Sequence, residues 1–129
     1  MSSSGERSIA PNEIRVALVA PADPRRLELA GYLRRSGFDV YECEELGVAS
    51  RFIALVTVTP PDVSPKALVA DVRLWLLATK IRRVVVATTI PNALRDLVVV
   101  HDGRLRVLPE PAGGWDLVNA LSFARPQQG

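Results

Sequence analysis

The sequence predicts a three-layer α/β sandwich, in which a five-stranded, mostly parallel sheet of order 2-1-3-4-5 lies between two layers of helices. Three observations predict it. Apolar, β-rich runs alternate with helix-period segments along the chain. Short right-handed βαβ crossovers satisfy a repeat of roughly 15 to 20 residues, and all-antiparallel topologies do not. Two helix starts share one signature, a capping side chain followed by proline, at Asp23-Pro24 and Ser64-Pro65. Finally, 129 residues at 48% hydrophobic content supply one core and are too few for two domains.

Residues 1–13 are rich in Ser, Gly and charge and break at Ala10-Pro11, which predicts a mobile tail ahead of a folded domain over 14–124. Ile14 to Ala20 is a near-continuous apolar run, as a strand buried on both faces requires. Pro21-Ala22 turns the chain, Asp23 caps a helix, and Pro24 takes its first position, where a missing N–H costs nothing. Leu27, Ala30 and Leu33 recur at helical spacing, and Gly37 ends the helix. Phe38 to Glu42 alternates apolar and acidic residues, the pattern of an edge strand, and after Glu44-Glu45-Leu46-Gly47 there is room for a short helix at most, since Val48 to Arg51 leave little space for it.

Phe52 to Val58 is the third strand, ended by Pro60-Pro61. The helix opened by Ser64-Pro65 should run to about Thr79, and Leu68, Val72, Trp75, Leu76 and Leu77 give it an unusually wide apolar face. Val84 to Ala87 is the fourth strand, and Pro91 to Leu97 allows at most a short helix. Val98-Val99-Val100 and Arg104 to Leu108 flank His101-Asp102-Gly103; Asp-Gly between two β-prone runs predicts a hairpin. A last helix from Trp115 or Asp116 to Phe123 follows Gly113-Gly114, and residues 125–129 are expected as a flexible tail or the start of a linker.

Lys and Arg number 16 against 14 Asp and Glu, a net charge of +2 that is small for a dedicated nucleic-acid binder. The arginine groups (Arg25-Arg26, Arg34-Arg35, Arg82-Arg83, Arg104 with Arg106) are interleaved with Glu28, Asp39, Glu42, Glu44 and Glu45, as on a mixed solvated surface. The single cysteine, Cys43, excludes an intramolecular disulfide and reads as semi-buried filler; with one histidine the chain supplies no conventional zinc cluster. No Gly-x-Gly-x-x-Gly loop, P-loop or Gly-x-Ser-x-Gly elbow occurs, so no cofactor and no metal is expected, and His101 reads as a turn residue. The start, MSSSGERS, is not a secretory signal, and the apolar runs fall short of the ~18 to 20 residues of a membrane span, so a soluble cytoplasmic domain is expected.

The order of these features resembles the receiver domain of bacterial two-component response regulators, within the flavodoxin-like folds, over about Arg15 to Phe123. The resemblance is carried by RVALVA running into PADPRRLELAGYLRRSGFDV, by FIALVTVTPP as third strand and loop, by VVVATT as the fourth strand, and by RVLPEP as the fifth strand and its Lys-Pro turn. It implies a phosphorylation pocket whose residues are absent here. The metal-holding acidic pair falls on Ala20 and Pro21, and the phosphoacceptor aspartate on Thr57. The threonine or serine at the end of the fourth strand is matched by Thr88, while the phosphoryl-pairing lysine falls on Glu110, reversing the charge. Aspartyl phosphotransfer needs oxygen ligands for Mg²⁺ and a carboxylate nucleophile, so it should be absent.

The resemblance therefore implies a non-catalytic pseudo-receiver working in signalling through protein contacts. In the family, the fourth helix, fifth strand and fifth helix carry dimerisation or output contacts; the matching residues run about 91–97, 104–108 and 116–123. Trp115 and Phe123 are the candidate aromatic anchors of a protein partner or of self-association, rimmed by Arg95, Arg104 and Arg106, with ordinary core packing as the alternative for the aromatics. Two other function classes remain open. A small enzyme or ligand-sensing domain would use the threonine-rich rim of Thr57, Thr59, Thr88 and Thr89, with Asn92 and Asp62. A nucleic-acid-associated regulator would require a continuous positive face.

Overall fold

The computed structural model of the protein describes residues 15–44, 52–78, 80–101 and 103–121. The expected tails, the short helix after Glu44 and Phe123 lie outside these residues.

Central strands with apolar side chains on both faces need cover on both sides, and the chain provides it. Strands β1 (Arg15–Val19), β2 (Asp39–Cys43), β3 (Ala54–Val58), β4 (Arg83–Thr88) and β5 (Leu105–Pro109) form one sheet of order β2-β1-β3-β4-β5. Every pairing is parallel, with Val16 opposite both Val40 and Ala54, and Val84 opposite both Leu55 and Leu105. This is the flavodoxin-like, receiver-like topology. Alternation along β1 and β3 sends Val16, Leu18 and Val56 to one face and Ala17, Val19 and Leu55 to the other.

The first face packs on helices α1 (Pro24–Arg35) and α4 (Gly114–Leu121), through Leu29, Leu33, Leu117 and Leu121. The second packs on α2 (Pro65–Leu76), through Leu68, Val72 and Leu76, and on a 3-10 turn (Pro91–Leu94) leading into α3 (Arg95–Val100), through Leu94 and Leu97. Truncating one of the fully buried leucines costs about 2 to 5 kcal/mol in such cores.

The caps form as their residue types require. Asp23 Oδ1 accepts from the Arg26 N–H at 3.0 Å and Ser64 Oγ from the Ala67 N–H at 3.1 Å, each contributing about 1 kcal/mol. At the end of α1, Gly37 sits at φ 101, a left-handed conformation that glycine adopts without penalty. Its N–H donates to Arg34 O and the Phe38 N–H to Leu33 O, which pairs two carbonyls the helix would leave open.

One expected element is wrong. Val98-Val99-Val100 is not a strand of a hairpin but the end of α3, and Gly103, at φ 84, turns the chain from helix into β5 instead of reversing it between strands. The β-branched side chains favour a strand locally. Tertiary burial overrides them: Leu94 and Leu97, one helical turn apart, both seat in the core, and the place beside β4 is filled by Leu105–Pro109.

Helices α1 and α4 meet closely. A Cβ on Gly114 would lie 2.5 Å from Tyr32 Cγ and 2.7 Å from Cδ1, whereas one on Gly113 would have nothing within 4 Å. Gly114→Ala is therefore expected to lower the melting midpoint, losing about 1 to 3 kcal/mol through overpacking even though alanine is the better helix former. Gly113→Ala is the control and should be near neutral. Equal midpoints for the two variants in thermal denaturation would contradict the close packing.

Candidate functional site

Ligands of open α/β sheets bind beyond the carboxyl ends of the strands, where the strand order reverses, which here is between β1 and β3. A cavity of about 570 Å³ opens there, with Ala20, Pro21, Thr57 and Thr59 at the strand ends and Leu68 and Trp75 on α2 as its wall. Glu44 and Asp71 reach its rim, and among the described residues no histidine, cysteine, lysine or arginine lines it. Of the residues aligned with the phosphorylation pocket, Ala20, Pro21 and Thr57 share this cavity; Thr88 and Glu110 do not line it.

The hydroxyls at this edge are engaged with backbone. Thr57 Oγ1 donates to Val19 O at 3.0 Å, tying β3 to β1, and Thr59 Oγ1 reaches Ala87 O at 3.4 Å. Thr88 Oγ1 accepts the Ile90 N–H at 3.2 Å, closing the turn after β4, and Thr57, Thr59 and Thr88 are all buried. A threonine whose only proton bonds a carbonyl is not an activated nucleophile. Among the described residues, no three His, Cys, Asp or Glu side chains come together as a metal-holding group. Cys43 is half-buried, and burial pushes its thiol up against a smaller opposing effect of Arg26.

Glu110 follows β5 and its N–H donates to Thr88 O at 3.0 Å. Its side chain is only 9% exposed and meets the Arg25 guanidinium as a fork, Nη2 to Oε1 at 2.7 Å and Nη1 to Oε2 at 3.0 Å. Arg25 Nη2 also donates to Ala112 O at 2.7 Å, and the Ala112 N–H donates to Glu110 Oε1 at 3.0 Å. The start of α1 is thereby clamped to the loop that enters α4. Burial alone would raise the Glu110 carboxyl, but the hydrogen bonds from Arg25 and Ala112 and the guanidinium charge together hold it below its ordinary value. The same hydrogen bond, opposed by burial, raises Arg25. On the other flank of α1, Arg26 and Arg34 share the Glu42 carboxylate at 3.3 and 3.1 Å, so these arginine groups are partners of acids.

On the C-terminal side, Trp115 is 65% exposed at the start of α4, so it is not a core residue. Arg95 is exposed and Arg106 half-buried. Arg104 differs from the rim position expected of it. Its guanidinium donates to Ile81 O at 2.9 Å, Leu76 O at 2.8 Å and Ala78 O at 2.7 Å, which closes the C-terminal end of α2 and its following turn. A cation at a helix C-terminus satisfies open carbonyls and complements the dipole. His101 caps the end of α3, as a turn residue should.

One feature escaped sequence reasoning. Helices α2 and α3 diverge around a groove of about 950 Å³, flanked by the exposed side chains of Leu74, Leu77 and Val100. The signal was present in the excess width of the apolar face of α2, which exceeds what the sheet covers, and in Val98-Val99-Val100 once these residues are placed on a helix.

Glu110→Gln removes the charge of this part-buried clamp and should cost about 1 to 2 kcal/mol near neutral pH. A carboxyl lowered by folding stabilises fully above its ordinary value and loses that contribution as pH falls through the lowered value. The wild-type advantage over E110Q should therefore shrink on acidification below the ordinary carboxylate range, which urea unfolding at stepped pH reads directly. A constant difference across that range would exclude the clamp as its source.

The sequence matches no model of a known protein family, and no curated protein is similar to it.

Proposed function

We propose that the chain is a non-catalytic, receiver-like module of cytoplasmic signalling that acts through protein contacts on its C-terminal side, over about residues 91–123. One observation carries the reading. The positions that would hold metal, phosphoryl group and counter-charge in a receiver are Ala20, Pro21, Thr57 and Glu110, and the last two are already consumed by internal bonds, to Val19 O and to Arg25. A phosphorylation switch works by adding charge where cationic groups can pair it. Here the Arg25 guanidinium is already paired with the resident Glu110 carboxylate. The threonine-rim reading, an enzyme or ligand sensor, has less support because the hydroxyls of Thr57 and Thr59 are spent on carbonyls.

Contact through the C-terminal side is supported by Trp115, an exposed aromatic of the kind that anchors interfaces, and by the exposed Arg95, whose guanidinium fork suits carboxylates on a partner. Arg104 contributes to this surface by holding β5 against α2 and not by offering its fork.

Two measurements test the reading. Incubation with acetyl phosphate and Mg²⁺ should leave the intact mass unchanged, and Thr57→Asp alone should not create a phosphoryl adduct; a stoichiometric adduct on the wild-type chain overturns the assignment. Trp115→Ala should leave the unfolding free energy within about 0.5 kcal/mol of wild type, as for exposed positions. It should also weaken capture of partner, or self-association in analytical ultracentrifugation, by about 2 kcal/mol or more. Unaltered capture and self-association in both W115A and R106E would place the surface elsewhere.

A further inference from the structure

The groove between α2 and α3 lies outside everything argued so far except the premise that the chain acts by contact. Its walls are Val69, Leu74 and Leu77 on the α2 side and Leu97 and Val100 on α3. Leu77 is 74% exposed and Val100 73% exposed, so large apolar side chains face water on both lips. Exposed apolar groups gathered in one concavity mark interaction sites more often than the same groups scattered singly. The basic side chains Lys66, Arg73 and His101 also line it, and among the described residues no carboxylate does.

We propose that this groove receives an amphipathic helix from another protein, with an apolar stripe toward the groove and acidic residues along its flanks. The shape supports a helix: α2 has 12 residues, and at 1.5 Å per residue its wall is about 18 Å long, or about three turns of a docked helix. An apolar channel between two helices is filled by side chains at i, i+3 or i+4, and i+7 of the guest. Strand addition has no footing here, because the walls are helical and their backbone groups pair within their own turns.

The charge selects the flank. Lys66 and Arg73 are fixed cations along the α2 wall, and an acidic flank turns them from a cost into attraction. The same charges disfavour a second copy of this chain across a two-fold axis. Such an interface would set each copy's Lys66 and Arg73 against an equally basic lining. An anionic lipid surface meets the charge requirement but not the shape, since a bilayer seats protruding apolar groups and this site is a hollow.

The test uses a phage-displayed library of helical peptides of about 14 residues, long enough for about four turns, selected on the full chain. The enriched peptides should carry apolar residues at i, i+3 or i+4, and i+7, with Asp or Glu on the flanks. In fluorescence anisotropy their affinity should fall at least tenfold for Leu77→Glu and for Val100→Glu, and the salt dependence should weaken in Lys66→Glu combined with Arg73→Glu. Leu77 and Val100 are exposed, so both single variants should keep wild-type circular dichroism and melting.

Several results would overturn the proposal. They are failure to enrich any peptide, enrichment without acidic bias, or affinities that L77E and V100E leave intact. Self-association abolished by L77E would assign the groove to a second copy, and sedimentation with phosphatidylserine vesicles abolished by L77E would assign it to a membrane. Peptides sensitive to W115A but not to L77E would support the C-terminal surface and refute the groove. A phosphoryl adduct would refute the pseudo-receiver reading while leaving the groove result standing.

Discussion

Burial of β1, β3 and β4 on both faces governs the rest of this molecule. Those strands carry Leu18, Val56 and Val85 toward one helical layer and Ala17, Leu55 and Val86 toward the other, and none of these residues keeps contact with solvent. Neither layer can thin without wetting the sheet. The two layers are nevertheless unequal. Helices α1 and α4 press together closely enough that Gly114 has no room for a side chain against Tyr32. On the opposite face α3 has only six residues, and Leu94 and Leu97 suffice to cover the sheet beneath it. What so short a helix cannot reach is the outer flank of α2, and the apolar groove is the remainder.

A parallel sheet also collects loop backbone and charge at its ends, and the chain settles both internally. At the carboxyl edge the clamp of Arg25 and Glu110 joins α1 to the loop before α4, and the hydroxyls of Thr57 and Thr88 pair local backbone. At the amino edge Arg104 gathers three carbonyls from the end of α2 and the turn beyond it. Each arginine joins segments far apart in sequence, and its planar fork lets one side chain serve several acceptors at once. The ends of the sheet are thereby braced by pairs internal to the fold.

The parts of the fold that depend on neighbours in sequence were legible. Asp23-Pro24, Ser64-Pro65 and Gly37 act within a few residues of themselves, so their chemistry survives any tertiary context. The apolar runs were legible because a two-sided strand writes its burial at every position. Val98-Val99-Val100 was misread because β-branching is a local preference, whereas the helix there is set by Leu94 and Leu97 reaching the core. The clamp and the arginine staple were illegible for a different reason. Glu110 meets Arg25 across 85 residues, and the acceptors of Arg104 are carbonyls, which every residue carries and no sequence distinguishes.

The clamp also bears on how such a domain can be regulated. A charge switch needs an element with two arrangements whose balance a new charge can tip. Glu110 holds a permanent negative charge against Arg25, with its carboxyl kept below the ordinary range, so this edge stays paired throughout the neutral range. Adding an acidic group there would compete with a carboxylate already in place, bonded through both oxygens and to the Ala112 N–H. The energy that would separate two states has been spent on holding one. Under the proposed reading, information passes through this domain by what binds its exposed apolar surfaces, where Leu74, Leu77, Val100 and Trp115 still face water.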